Sequence, residues 1–245
     1  SYMRFNKAYK NYSNIAKEIT TDKMYLLSGR YKFTEKKYKF ICEDIAEKLE
    51  INKTDDIFDI GTGDGKIIAS LAQKSKSATV IDSPEIINKI PHKKKIKYLK
   101  GNISYEAIKI KKKFDKILVY SVIQYFYNLN EVNKFINLCL KLLKNKGYLL
   151  IGDIPNADMD IRYQNTKEFK RLSKIFDKKR KLNYSKLDEK FHKMSIGKTV
   201  NFTDKKLIFL LKKFNTKKFE SYILPQKKEL PYSVKRVDFL IKKRS

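Results

Sequence analysis

Tryptophan is missing from the 245 residues, and cysteine and histidine occur twice each, proline five times and glycine eight times. The two cysteines, Cys42 and Cys139, are too few for a disulfide framework, and no Cys-x-x-Cys spacing or histidine arrangement suits zinc. Cys42 shares a helical face with Ile41, Ile45, Ala46 and Leu49, which reads as a small core residue. No apolar run approaches the roughly 20 residues of a membrane span. The opening residues Ser1-Tyr2-Met3-Arg4-Phe5-Asn6-Lys7 carry no signal-peptide core. These absences lead us to expect a soluble, cytoplasmic protein. Acid is scarce as well: 27 Asp and Glu stand against 56 Lys and Arg, a net charge of +29.

Such a charge points first to a polyanionic partner. Its distribution argues for restraint. Only seven of the basic residues are arginine, and the lysine excess comes with abundant Ile, Asn, Tyr and Phe, as an AT-rich bacterial genome would write at tolerant surface sites. Net charge climbs gently from +4 in the first fifty residues to +9 in the last forty-five, so there is no single basic arm. The runs Lys93-Lys94-Lys95 and Lys111-Lys112-Lys113 read as solvated loops between elements.

With 42% hydrophobic and 13% aromatic residues, the chain is of globular composition. From about residue 54, short aliphatic runs alternate with helical patterns, the mark of βαβ units and a parallel sheet. The expected strands are Ile57 to Ile60, Ala78 to Asp82, Ile96 to Leu99, Lys116 to Tyr120 and Tyr148 to Ile151. The first is followed by a helix with Ile67, Ile68, Leu71 and Ala72 on one face. Before the fifth, Val132, Phe135, Ile136, Cys139, Leu140 and Leu143 recur at helical spacing, and Gly147 is placed to end that helix in a left-handed cap. Residues 1 to 50 read as a helical cap ending in an amphipathic helix from Glu35 to Leu49. Residues 154 to 200 form a polar, lysine-rich insertion with a helix expected from Thr166 to Lys181. Thr203 then caps a helix through Leu207, Leu210, Leu211 and Phe214, followed by strands near Phe219 to Leu224 and Val237 to Ile241. We expect a single domain: cap 1–50, core 54–153, lid-like insertion 154–200 and C-terminal elements 201–245.

The informative stretch is Asp59-Ile60-Gly61-Thr62-Gly63-Asp64-Gly65-Lys66, which runs off the first strand into a helix. Alternate glycines let the backbone turn sharply and approach a ligand, and the helix start offers unpaired N–H groups. A Walker loop would need glycine where Ile60 stands and a hydroxyl where Ile67 stands. A dinucleotide fingerprint would put its third glycine at Lys66, and it asks for no acid at the end of the strand. A carboxylate beside the loop repels a pyrophosphate and favours a cation.

The pattern Asp-x-Gly-x-Gly-x-Gly resembles the first motif of class I S-adenosylmethionine-dependent methyltransferases. Three further strand ends agree. Asp82 closes the second strand, where an acid accepts the ribose hydroxyls, with Ser83 beside it. Gly101-Asn102-Ile103 follows the third, resembling the family's adenine-contacting site, although Asn102 stands where aspartate is frequent. Tyr120-Ser121-Val122-Ile123-Gln124-Tyr125 follows the fourth, resembling the segment that faces cofactor and substrate. The resemblance covers residues 35 to 153 well and the last forty-five more loosely. It implies an α/β Rossmann-like fold with a seven-stranded, mostly parallel sheet whose last strand, Val237 to Ile241, is antiparallel. It also implies S-adenosylmethionine as cofactor, held by Asp59, Gly61, Thr62, Gly63, Gly65, Asp82, Ser83, Asn102, Ile103 and Tyr120, with Arg30 reaching the cofactor carboxylate from the cap. No metal is implied.

Methyl transfer from a sulfonium is an in-line displacement, so a base is needed only where the acceptor must lose a proton. The candidate bases are His192 and Asp158 in the insertion, Asp153 at the fifth strand end, and His92. His192 and Asp153 rank first, with Tyr125 and Gln124 as orienting groups. The strand-four segment lacks the Asn/Asp-Pro-Pro-aromatic pattern of base-amine methylation, and neither cysteine is placed for cytosine C5 chemistry. We therefore expect a small-molecule acceptor, most readily an oxygen of a biosynthetic intermediate such as a surface-polysaccharide sugar or a phosphate-containing group. An anionic acceptor suits the lysine-rich insertion. An RNA methyltransferase is the alternative.

Overall fold

The computed structural model describes residues 7–28, 33–101, 110–171 and 200–245. Seven strands, β1 (Asp56–Ile60), β2 (Ser77–Asp82), β3 (Ile96–Lys100), β4 (Phe114–Tyr120), β5 (Leu143–Pro155), β6 (Phe219–Pro225) and β7 (Arg236–Lys243), form one sheet in the order β3-β2-β1-β4-β5-β7-β6. Strands β1 to β5 pair in parallel, and β7 is antiparallel to both β5 and β6. This is the Rossmann-like sheet expected from the sequence. The chain steps outward from β1 through β2 to β3, then returns to β4 on the other flank. Such a reversal opens a crevice at the carboxyl ends of β1 and β4.

The strands read as nearly continuous aliphatic runs because both faces are covered. Phe58, Ile117, Val119, Leu149 and Ile151 point to one face, and Ile57, Leu118, Tyr120 and Leu150 to the other. The first face is packed by α5 (Leu129–Lys141) and α7 (Asp204–Phe214), the second by α2 (Glu35–Lys48), α3 (Lys66–Leu71) and α4 (Pro84–Lys89). On α5 the period-3.6 residues Val132, Phe135, Ile136 and Cys139 are at most 1% exposed. Each large side chain so buried contributes about 1.5 to 3 kcal/mol relative to exposure.

Helix starts follow their capping residues: the side chains of Thr34, Ser83, Asn128 and Thr203 accept backbone N–H bonds from Lys37, Ile86, Glu131 and Lys206. Helix α2 ends with Glu50 at φ +51, Ile51 N–H bonding Ala46 O and Glu50 N–H bonding Glu47 O. That pairing satisfies the last carbonyls of the helix.

The expected left-handed cap at Gly147 is not what ends α5. The helix stops at Lys141, Leu143 is already the first residue of β5 opposite Phe114, and the left-handed residue is Lys146 at φ +58. Gly147 is needed for another reason: a Cβ there would lie 2.9 Å from Asp115 O, Leu143 Cγ and Lys144 O.

The N-terminal cap consists of α1 (Lys7–Glu18), a 3₁₀ segment (Thr21–Ser28) and α2. Residues 154 to 171 carry a helix that the sequence reading did not single out, α6 (Ala157–Gln164), whose N-cap Asn156 accepts from Asp158 and Met159 N–H. Residues 167 to 171 are helical where the Thr166 to Lys181 helix was expected, and its remainder lies outside the described residues. No helix among the described residues is long and apolar enough to cross a membrane.

Candidate active site

The glycine loop occupies the crevice mouth. Gly61, Gly63 and Gly65 have φ of +81°, +59° and +73°, a region that L side chains enter only with strain. Gly61 N–H bonds Ile81 O at 3.0 Å, tying the loop start to β2, and Gly65 N–H bonds Thr62 O at 3.1 Å before α3 begins. A Cβ on Gly61 would come within 2.5 Å of Val122 Cγ2, and one on Gly63 within 3.2 Å of Leu27 O. The loop is thus pressed between the strand-four segment and the cap.

Asp82 sits beneath it, 5% exposed. Its Oδ2 accepts from Gly63 N–H at 3.0 Å and its Oδ1 from Ser83 N–H at 2.7 Å. Burial pushes this carboxyl up to about 6, and the two backbone N–H bonds hold it back only in part. Among the described residues no lysine or arginine pairs with it. Asp59, at the end of β1, is 3% exposed. The Thr62 hydroxyl is buried and has no partner among the described residues.

Asp64 was a spacer in the sequence motif, and the structure gives it a distinct task. Its Oδ2 accepts from Tyr38 OH at 2.6 Å and Ser28 Oγ at 2.9 Å, and its Oδ1 from Lys66 N–H at 3.1 Å. One carboxylate therefore fastens the loop to two of the three cap elements, the 3₁₀ segment and α2. Only the loop-facing acid offered a sequence signal; Ser28 and Tyr38 carry none.

At the end of β4, Tyr120 lies against Gly152, where a Cβ would meet its Cδ2 at 2.3 Å. Ser121 is held at φ +60 by its N–H to Gly152 O at 3.0 Å. Tyr125 follows in the 3₁₀ turn Ile123–Tyr125 and meets Tyr12 of α1, hydroxyl to hydroxyl at 2.9 Å, with the rings edge-on at 5.5 Å. Gln124 Oε1 is buried without a partner among the described residues. Helix α1 crosses this edge, since Lys89 Nζ of α4 donates to Ile19 O at 3.0 Å beyond its other end.

Asp153 stands at the strand end as anticipated, but its carboxylate is engaged. Oδ2 accepts from Ser121 Oγ and from Arg236 Nη1 at 2.8 Å, and Oδ1 accepts from Gln226 Nε2 at 3.3 Å. Gly152 and Asp153 bulge opposite Asp238 of β7, whose Oδ1 accepts Asp153 N–H at 2.8 Å. Asp238 Oδ2 and Asp44 Oδ2 both accept from Lys48 Nζ, each at 2.6 Å. Burial, opposed by Lys48, raises both carboxyls.

The remaining candidates divide cleanly. Asp158 Oδ2 accepts from Asp204 N–H at 2.8 Å at the start of α7, a structural contact. His92 stacks on Tyr98 at 4.0 Å, with its Nε2 3.1 Å from Ile87 O. Cys42 and Cys139 are buried, and burial drives the Cys139 thiol far up. Arg30, Asn102, Ile103 and His192 lie outside the described residues. No cluster of metal-ligating side chains occurs among the described residues.

Residues 58–151 match the methyltransferase domain family. No curated protein matches the sequence. Solved structures match its fold. The N-methyltransferase NodS from Bradyrhizobium japonicum WM9, in complex with S-adenosylhomocysteine, is 15% identical over 98% of this chain and 100% of that one, with a TM-score of 0.61. The plantazolicin methyltransferase BpumL, in complex with a monoazolic desmethylPZN analog and S-adenosylhomocysteine, is 16% identical over 98% of this chain and 95% of that one, with a TM-score of 0.62. Phosphoethanolamine N-methyltransferase 1 of Haemonchus contortus is 17% identical over 95% of this chain and 47% of that one, with a TM-score of 0.63.

Proposed function

We propose that the chain is a class I methyltransferase that uses S-adenosylmethionine to methylate a small-molecule or peptide acceptor, a reading supported by the match of residues 58–151 to the methyltransferase domain family and by the fold shared with solved methyltransferases. The observation that carries this reading is Asp82, a buried carboxylate without a cationic partner among the described residues, bonded to the glycine loop at the end of β2. A hydroxyl-bearing, positively charged ligand fits that environment. The ribose hydroxyls would donate to Asp82, and Asp59 offers negative charge near the sulfonium and amino group. The backbone of Gly61 to Gly65 allows close approach, and the buried Thr62 hydroxyl is available to it. Ser83 caps α4 and steadies Asp82. Arg30, Asn102 and Ile103 retain the roles that the resemblance implies.

When bound, the cofactor supplies an activated methyl group. The chain's own residues supply alignment and exclusion of water. Helix α1 and the loop clasp cover the crevice, while Tyr120, Tyr125, Tyr12 and Gln124 wall the acceptor side. Asp153 is too fully engaged by Ser121, Arg236 and Gln226 to serve as base, so we assign it to holding the β4 and β5 ends together. An oxygen acceptor would then rely on His192 or on its own acidity.

Titration calorimetry with S-adenosylhomocysteine and NADPH tests the cofactor, with heat expected from the first alone. S-adenosylhomocysteine release against sugar, phosphate-bearing, peptide and bulk-RNA acceptors tests the substrate class. Our finer reading is a hydroxyl of a biosynthetic intermediate such as a surface-polysaccharide sugar. Its support is the absence of the base-amine pattern after β4. Turnover on RNA alone would replace it.

A further inference from the structure

The lysine runs Lys93 to Lys95 and Lys111 to Lys113, which the sequence reading leaves in solvated loops, are brought together by the sheet. Where β2 and β3 run side by side and the chain enters β4, an open groove of about 700 Å³ forms. Lys94, Lys95, Lys97, Lys100, Lys111 and Lys112 line it, and all six are exposed. No carboxylate lines it among the described residues. Lys112 pairs with Asp56 at 3.2 Å, which fixes the segment before β4 beside the start of β1. Lys95 Nζ reaches Ser75 O at 3.5 Å. The ammonium groups of Lys94, Lys97, Lys100 and Lys111 have no hydrogen bond or ion pair among the described residues. The apolar surface of its floor comes from the half-buried Leu99 and Ile110, while Phe114 is only 1% exposed.

We propose that this groove binds a small oligophosphate carrying a planar apolar body, of the nucleoside di- or triphosphate class. Lysines that line one concavity with no carboxylate beside them among the described residues repel each other, and a multiply charged anion relieves that repulsion. The apolar floor gives a flat ring a surface that water leaves at a gain. The volume is that of a small-ligand site, about 300 to 1,000 Å³, and a flat bilayer would touch only its rim. The groove lies along β2 and β3 and shares no residue with the glycine loop or Asp82. Its ligand is therefore separate from the methyl donor, and the proposal does not depend on the methyltransferase reading.

The test is calorimetry on the full chain with ATP, tripolyphosphate and adenosine, each with and without saturating S-adenosylhomocysteine. ATP is expected to bind in both conditions, more tightly than tripolyphosphate, and adenosine not to bind in the groove. Lys97→Glu with Lys111→Glu should weaken ATP about tenfold or more, through lost charge-assisted contacts. The control Lys212→Glu with Lys213→Glu, exposed on α7, should leave ATP binding unchanged. S-adenosylhomocysteine affinity should be the same in all three proteins, which reports intact folding. Loss of ATP binding in the presence of S-adenosylhomocysteine would place ATP in the cofactor crevice and overturn the proposal. Equal weakening by the control pair would reduce it to diffuse charge. Tripolyphosphate binding as tightly as ATP would overturn the role of the floor, and no ATP binding at all would end the proposal.

Discussion

The Tyr38 hydroxyl donates a 2.6 Å hydrogen bond to the Asp64 carboxylate, joining the cap to the glycine loop across 26 positions of sequence. Both residues are buried, at 5% and 3% exposure. Tyr38→Phe keeps the ring and removes the donor. It should cost about 1.5 to 3 kcal/mol, the range for a hydrogen bond to a charged group, and weaken S-adenosylhomocysteine binding by loosening the cap. An unchanged urea midpoint would show that the Ser28 and Lys66 contacts hold the clasp alone.

The proposed contact of Asp82 with the ribose gives S-adenosylhomocysteine binding a pH signature. Its carboxyl is raised to about 6 in the folded protein, and ribose hydroxyls require the ionised form as acceptor, so proton and ligand compete. Affinity for S-adenosylhomocysteine should be flat above about pH 7 and about tenfold weaker at pH 5. The free protein shows the opposite sign at this residue. Its raised folded value means that the native state takes up the proton first, so acid between about pH 6 and 4 favours the unliganded fold here. Asp82→Asn should bind weakly at every pH, and a steep profile surviving in that variant would refute the assignment.

Gly61→Ala forces a side chain into φ +81 and to within 2.5 Å of Val122 Cγ2. The handedness alone costs about 1 to 2 kcal/mol, and Val122 must also yield. We expect a folded protein with lowered melting temperature and no calorimetric binding of S-adenosylhomocysteine. Binding within twofold of the parent would mean that the loop geometry is not what shapes the site.

Lys48 lies between two buried carboxylates, Asp44 and Asp238, 2.6 Å from each. Lys48→Met leaves them facing each other without a cation and should cost about 3 to 5 kcal/mol at neutral pH. Because burial already raises both carboxyls, protonation of either relieves the repulsion, and the deficit should shrink as pH falls. Urea unfolding of parent and variant at pH 8 and pH 5 measures this. A deficit that is equal at both would exclude the carboxylate pair as its source.

Much of the candidate crevice was legible because it is local. The Asp59 to Gly65 loop, Asp82 and the Tyr120 to Tyr125 segment each follow a strand whose apolar run is unmistakable, and a parallel sheet collects such strand ends along one edge. The Gly147 expectation failed because a glycine reads alike whether it supplies a left-handed cap or simply admits neighbouring backbone; here Asp115 O and Lys144 O needed the room. The engagement of the Asp153 carboxylate was not legible, because its partners Gln226 and Arg236 lie 73 and 83 positions away.

What the sequence determined by itself is what periodicity and nearest neighbours encode: the strand and helix succession, the cap at Thr203, and the acidic glycine loop that favours a cationic ligand. Tertiary structure alone decided which charges meet. It set Lys48 between Asp44 and Asp238, gave Asp153 to Arg236, clasped Asp64 with Tyr38, and turned two separate lysine runs into the walls of one groove. The reason is that hydrophobic pattern is written along the chain at fixed spacing. The partner of a charged group, by contrast, is fixed only when the sheet order brings distant strands side by side.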